Sequence, residues 1–164
     1  MKTANHKLSP KCINRIREQG YQNYTDKEIR AMAYGNRFAY RLCVSLLIIG
    51  IIFNSIPILS LMFVVAFMGV VLPNHPFDYI YNHLLRKRMN KPLIPPRSIQ
   101  LKFACSLAIL FIGTIIYLMY HNFMTAAYIV GAVLISIAML VSTIDLCIPS
   151  KVYNAIFKKT TRTA

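Results

Sequence analysis

Acidic side chains are scarce here: five Asp and Glu accompany nineteen Lys and Arg in 164 residues, giving a formal charge of +14. So few carboxylates supply no recognisable acid, base or nucleophile arrangement. Cys12, Cys43, Cys105 and Cys147 contain no Cys-x-x-Cys pair, and no Cys and His cluster has zinc spacing. A Gly-rich phosphate loop, a Ser-His-Asp order and a haem or metal ligand pair are also missing. No cofactor or metal is expected, and the pattern favours a non-catalytic protein over an enzyme.

Charge is wholly missing from two long stretches. Leu42 to Leu72 and Leu107 to Leu140 hold no Asp, Glu, Lys or Arg, and hydrophobic residues make up 56% of the chain. A helix needs about 20 apolar residues to cross a bilayer, so each stretch fits a hairpin of two short crossings. The polar notches Asn54-Ser55-Ile56-Pro57 and Tyr120-His121-Asn122 mark the turns. The expected crossings are Phe38–Phe53, Pro57–Leu72, Phe103–Tyr120 and Thr125–Leu146, with Pro149 ending the last.

All the Lys and Arg lie between Lys2 and Arg41, between Arg86 and Lys102, or between Lys151 and Arg162. Two hairpins put these three segments on one side of the membrane, which by the positive-inside rule is the cytoplasm, with both termini there. Attraction to anionic headgroups then explains most of the basic excess. Nucleic acid is not expected as a partner, because no recognition fold or interleaved aromatic and basic motif accompanies the charge. A charged arm of nearly forty residues precedes the first apolar block, so that block is read as an uncleaved anchor.

Start and stop signals refine this outline. Met1 to Pro10 shows no periodicity and is expected to be mobile, while Ile13 and Ile16 suggest a short amphipathic turn ending at Gly20. Thr25-Asp26-Lys27-Glu28 fits a capping box for a helix from Asp26 to about Tyr34. Phe77, Ile80, Tyr81, Leu84 and Leu85 recur at helical spacing and read as an interfacial amphipathic helix. Lys91 to Arg97, rich in proline, reads as an extended basic connector. Val152, Tyr153, Ile156 and Phe157, before Lys158 and Lys159, read as a second interfacial helix.

An internal repeat emerges. Arg37-Phe38-Ala39 matches Lys102-Phe103-Ala104 at an offset of sixty-five, and Tyr81-Asn82 matches Tyr153-Asn154 at seventy-two. The expected fold is therefore all-α, with four transmembrane helices as two tandem parallel-repeat hairpins, each followed by a cytoplasmic interfacial helix. The expected divisions are a basic arm, 1–36, a first hairpin unit, 37–90, a connector, 91–101, and a second hairpin unit, 102–164. Of the candidate functional residues, His75 and Asp78 at one hairpin exit are expected to share a cytoplasmic cleft with Asp145 and Cys147 at the other. Asp145 at the end of an apolar helix needs a partner, and Arg37, Arg41 and Lys102 are the candidates at its level. Cys43 and Cys105 read as small apolar fillers.

The Asn36-Arg37-Phe38-Ala39 entry, the Pro73-Asn74-His75-Pro76 exit, the connector before Lys102-Phe103-Ala104 and the Cys147 exit followed by Tyr153 complete a pattern. It resembles the bacterial membrane family catalogued as domain of unknown function 4395, over about Asn36 to Phe157. The resemblance implies a bacterial inner membrane and no settled activity. Relatives often carry Cys-x-x-Cys at the last exit, where this chain has Cys147 and Ser150. Without the second thiol, Cys147 is left with a mixed disulfide or persulfide. Two functions follow as expectations: a subunit or scaffold that engages a membrane partner or a second copy of itself, or transport or handling of small sulfur compounds at the Asp145 and Cys147 cleft.

Overall fold

The computed structural model describes residues 8–89 and 91–157. Residues 1–7 of the arm, and the basic tail with Lys158, Lys159 and Arg162, lie outside the described residues. Helices make up the fold, with no strand among the described residues. They are α1 (Pro10–Glu18), α2 (Asp26–Ile52), α3 (Ile56–Val71), α4 (Pro76–Ile80), a π turn (Tyr81–Leu85), α5 (Arg86–Met89), α6 (Ile99–Tyr120), α7 (Met124–Ile144) and α8 (Ile148–Phe157).

Helices α2, α6 and α7 are each long and apolar enough to cross a membrane. Helix α3 passes the same test only together with the segment after it, from which it bends by 81°. By length and composition the chain is a membrane protein with three or four candidate spans among the described residues. Its core packs α3 against α6 and α2 against α7. Leu59, Ile112, Ile115 and Ala127 are buried at the centre.

The arm is more ordered than its sequence suggests. Ser9 caps α1 by accepting from Lys11 N (3.2 Å), and Ile13 and Ile16 face inward. They join Tyr21, Ile29, Met32, Leu101 and Val141 in a second apolar cluster. Gly20, at φ +102°, makes the reversal after α1 in a region where a side chain is strained. The Thr25 and Glu28 capping box starts α2.

Two expected boundaries move. The helix expected to stop near Tyr34 and the crossing expected from Phe38 form one continuous helix, α2. Nothing between them breaks it: Asn36 is buried but satisfied by Gln19 Oε1 (3.2 Å), and Gly35 admits close neighbours. A Cβ on Gly35 would lie 2.7 Å from the Tyr81 ring and 2.8 Å from Ile94. Helix α7 ends not at Pro149 but at Asp145, whose left-handed backbone (φ 58°) stops the helix. Pro149 lies in the first turn of α8, where its missing N–H costs nothing.

The hairpin turns share one geometry. Asn54 and Asn122 are both left-handed (φ 48° and 59°). The next residue closes the helix end each time, Ser55 N donating to Gly50 O and Phe123 N to Leu118 O, both at 2.8 Å. Tyr128 Oη donates to Asn54 Oδ1 (2.9 Å) and ties the turns together.

At the other end the connector folds back. Asn82 clamps Ile94, donating to its carbonyl (3.3 Å) and accepting from its N–H (2.9 Å), while Arg97 N donates to Pro73 O (2.7 Å). Asn154 of α8 donates to Glu18 O (2.7 Å) and accepts from Gln100 (3.3 Å). A Gly35→Val variant should lose about 1–3 kcal/mol through overpacking against Tyr81 and Ile94, read as a lower Tm in detergent. An unchanged Tm would mean that this approach is not close.

Candidate functional site

Asp78 begins the site. Pro76 starts α4, and the Asp78 carboxylate reaches back to accept from His75 N (3.2 Å). The same carboxylate accepts from Arg97 Nε (2.7 Å) and Nη2 (3.1 Å), a two-pronged pair with both side chains out of solvent. Arg97 Nη1 donates to Tyr40 Oη (3.4 Å), and the guanidinium lies 5.1 Å from the centre of the Tyr40 ring. Arg97 thus joins the connector to α2 and α4.

His75 is buried beside this pair, 4% exposed. Its Nδ1 accepts from Phe77 N (3.3 Å). Burial, and then the Arg97 charge, push its pKa down to about 3 against the opposing pull of Asp78. The ring is therefore neutral, and with Nδ1 accepting, Nε2 carries the proton. That N–H has no partner among the described residues. Gly69 makes room for the ring: a Cβ there would lie 2.6 Å from His75 Cδ2 and 3.1 Å from Cys105 Sγ.

His75 faces a cavity of about 190 Å³ bounded by α2, α3, α6, α7 and the start of α8. Its walls are largely aliphatic, including Met62, Ala108, Ile112 and Leu134. Tyr40, Arg97 and three free thiols, Cys43, Cys105 and Cys147, complete the lining. Cys147 accepts from Ser150 Oγ (3.1 Å). Burial pushes its thiol up despite the hydrogen bonds from Ser150, so it stays protonated and weakly nucleophilic. Among the described residues no group of three or more His, Cys, Asp or Glu is placed to hold a metal ion.

The four residues expected in one cleft divide between places. His75 and Cys147 line the cavity, and Asp78 stands behind it holding Arg97. Asp145 is 0% exposed and pairs with Arg37, whose Nε donates to Oδ1 (2.9 Å) and whose Nη2 donates to Oδ2. Its backbone carbonyl accepts from Gln19 (2.8 Å), so it anchors the arm and does not line the cavity. Arg41 is exposed, and neither it nor Lys102 takes part in an ion pair among the described residues.

Arg97 and Tyr40 were not legible as site residues, because one looks like connector charge and the other like an interfacial aromatic. The available signal was Asp78, an acid among cations that needs a buried partner.

A family model matches residues 33–158, from within α2 beyond the end of α8. The chain belongs to the family described as Domain of unknown function (DUF4395). No curated protein and no solved structure matches it. In this DUF4395 protein Ser150, three residues after Cys147, donates its hydroxyl to the Cys147 sulfur.

Asp78→Asn should leave Arg97 charged and unpaired at a cost of about 3–5 kcal/mol. Asp78→Asn with Arg97→Met should recover much of that loss in thermal melts. No recovery would show that the pair is not the source.

The pH response follows from His75, which faces Asp78 and Arg97 across the site. Its pKa is about 3 when folded against 6.5 ordinarily, so the unfolded chain binds the proton first on acidification. Stability is full above 6.5 and declines as pH falls from 6.5 toward 3. Melts across this range should show a shallower decline for His75→Asn than for the parent. Parallel slopes would remove His75 as the cause.

Proposed function

We propose that this DUF4395 protein crosses the membrane four times and holds a small, uncharged, lipid-soluble ligand in the cavity between its hairpins. The observation that carries this reading is an almost wholly apolar cavity of about 190 Å³ lined in part by the neutral His75, whose Nε2 makes no hydrogen bond among the described residues. A bound acceptor would give that nitrogen a partner. Scaffolding through a basic face alone leaves the cavity unexplained, and the protonated state of Cys147 weighs against sulfur transfer.

Helix α3 is the fourth crossing in this reading. At about 1.5 Å per residue its 16 residues span roughly 24 Å, so it stands nearly upright or sits where the bilayer thins. The reading as two tandem parallel hairpins is supported by the matching turns at Asn54 and Asn122. It is also supported by two ring contacts at matched positions, Phe38 with Tyr81 (5.9 Å) and Phe103 with Tyr153 (5.5 Å). The reciprocal packing of α3 on α6 and α2 on α7 is what a twofold along the membrane normal produces.

Lys and Arg cluster at the ends opposite these turns, which favours both termini in the cytoplasm of a cell whose inner membrane holds the protein. There α4–α5 and α8 lie along the interface, with Leu84 and Val152 exposed to the acyl boundary and the basic side chains meeting anionic headgroups.

Mass spectrometry of the protein purified in mild detergent tests the ligand reading. A neutral compound should accompany the parent and be lost from Ala108→Leu, which fills the cavity, while Tm is kept or raised. Equal small-molecule content in both would overturn it.

A further inference from the structure

We infer that the cavity takes the headgroup of a membrane-soluble quinone, one ring carbonyl accepting a hydrogen bond from His75 Nε2. This rests on the reading of the cavity as a ligand site and names its occupant.

Size comes first. An apolar cavity of about 150 Å³ accommodates benzene, so about 190 Å³ accommodates a substituted six-membered ring. Access comes second. Ala108 of α6 and Ala138 of α7 line the cavity half-buried, while Ile148 and Val152 of α8 line it exposed. The mouth therefore opens between α6, α7 and α8, at an apolar surface where a lipid tail can stay in the bilayer.

Polarity selects within this class. His75 offers a donor, and Tyr40, whose oxygen already accepts from Arg97, has a hydroxyl proton with no acceptor among the described residues. Asp78 cancels the Arg97 charge through two hydrogen bonds, leaving no uncompensated cation for a carboxylate or phosphate. Among the described residues no Asp or Glu lines the cavity. A neutral ring that carries acceptors matches this arrangement. A hydrocarbon would leave His75 unsatisfied, whereas a ring carbonyl accepts from it.

The test uses the full chain in nanodiscs of quinone-free phosphatidylcholine, titrated with decylubiquinone, phenyldecane and decanoate by calorimetry. Decylubiquinone should bind at least ~10-fold more tightly than phenyldecane, and decanoate should not bind. His75→Asn keeps a side-chain oxygen to cap α4 but lacks the reach of Nε2, and should weaken decylubiquinone ~10-fold without affecting phenyldecane. Tyr40→Phe gives the same discrimination if His75→Asn does not fold. Ala108→Leu should abolish binding of both neutral probes.

Decylubiquinone no tighter than phenyldecane, or insensitive to both donor variants, would overturn the quinone assignment while leaving the cavity a ligand site. No binding by any probe, or binding unchanged by Ala108→Leu, would overturn the cavity reading as well.

Discussion

The buried pair between Asp78 and Arg97 is the contact on which the end of the bundle away from the hairpin turns depends. One carboxylate caps α4 through His75 N and receives the guanidinium that brings the proline-rich connector back against the α3 exit. Without this closure the connector would have no charged reason to enter an apolar region. Two desolvated charges are expensive unless the remaining donors are used, and Tyr40 takes one of them. The pair therefore fixes where α2, α4 and the start of α6 meet.

That neutralisation also sets the chemistry beside it. A free Arg97 would make the cavity an anion site, whereas a cancelled one leaves its surroundings apolar, and burial keeps His75 neutral. The second buried acid, Asp145, works elsewhere. It ends α7 in a left-handed turn, pairs with Arg37 and takes Gln19 on its carbonyl, so it binds the arm to the bundle. Two acids in similar sequence settings thus have separate structural partners.

Much of the fold was legible because its signals are local. An uncharged run longer than one crossing, a notch that can turn, and Thr25 three residues before Glu28 each act within a few residues. The site was less legible because its parts are remote in sequence. Arg97 is nineteen residues from Asp78 and fifty-seven from Tyr40, and Arg37 is 108 from Asp145. No local spacing tells a solvated basic residue from one drawn inward by a single carboxylate.

By itself, then, the sequence determined an all-helical membrane chain, the positions of its hairpin turns and two long charge-free stretches, since hydrophobic length and turn chemistry are properties of contiguous residues. Tertiary structure alone decided that the arm packs into the bundle, that α2 runs unbroken through Gly35 to Arg37, and that His75 and Cys147 share a cavity from which Asp145 is excluded. Those outcomes depend on which buried charge finds which partner across the bundle, and that competition is settled only when distant segments are packed together.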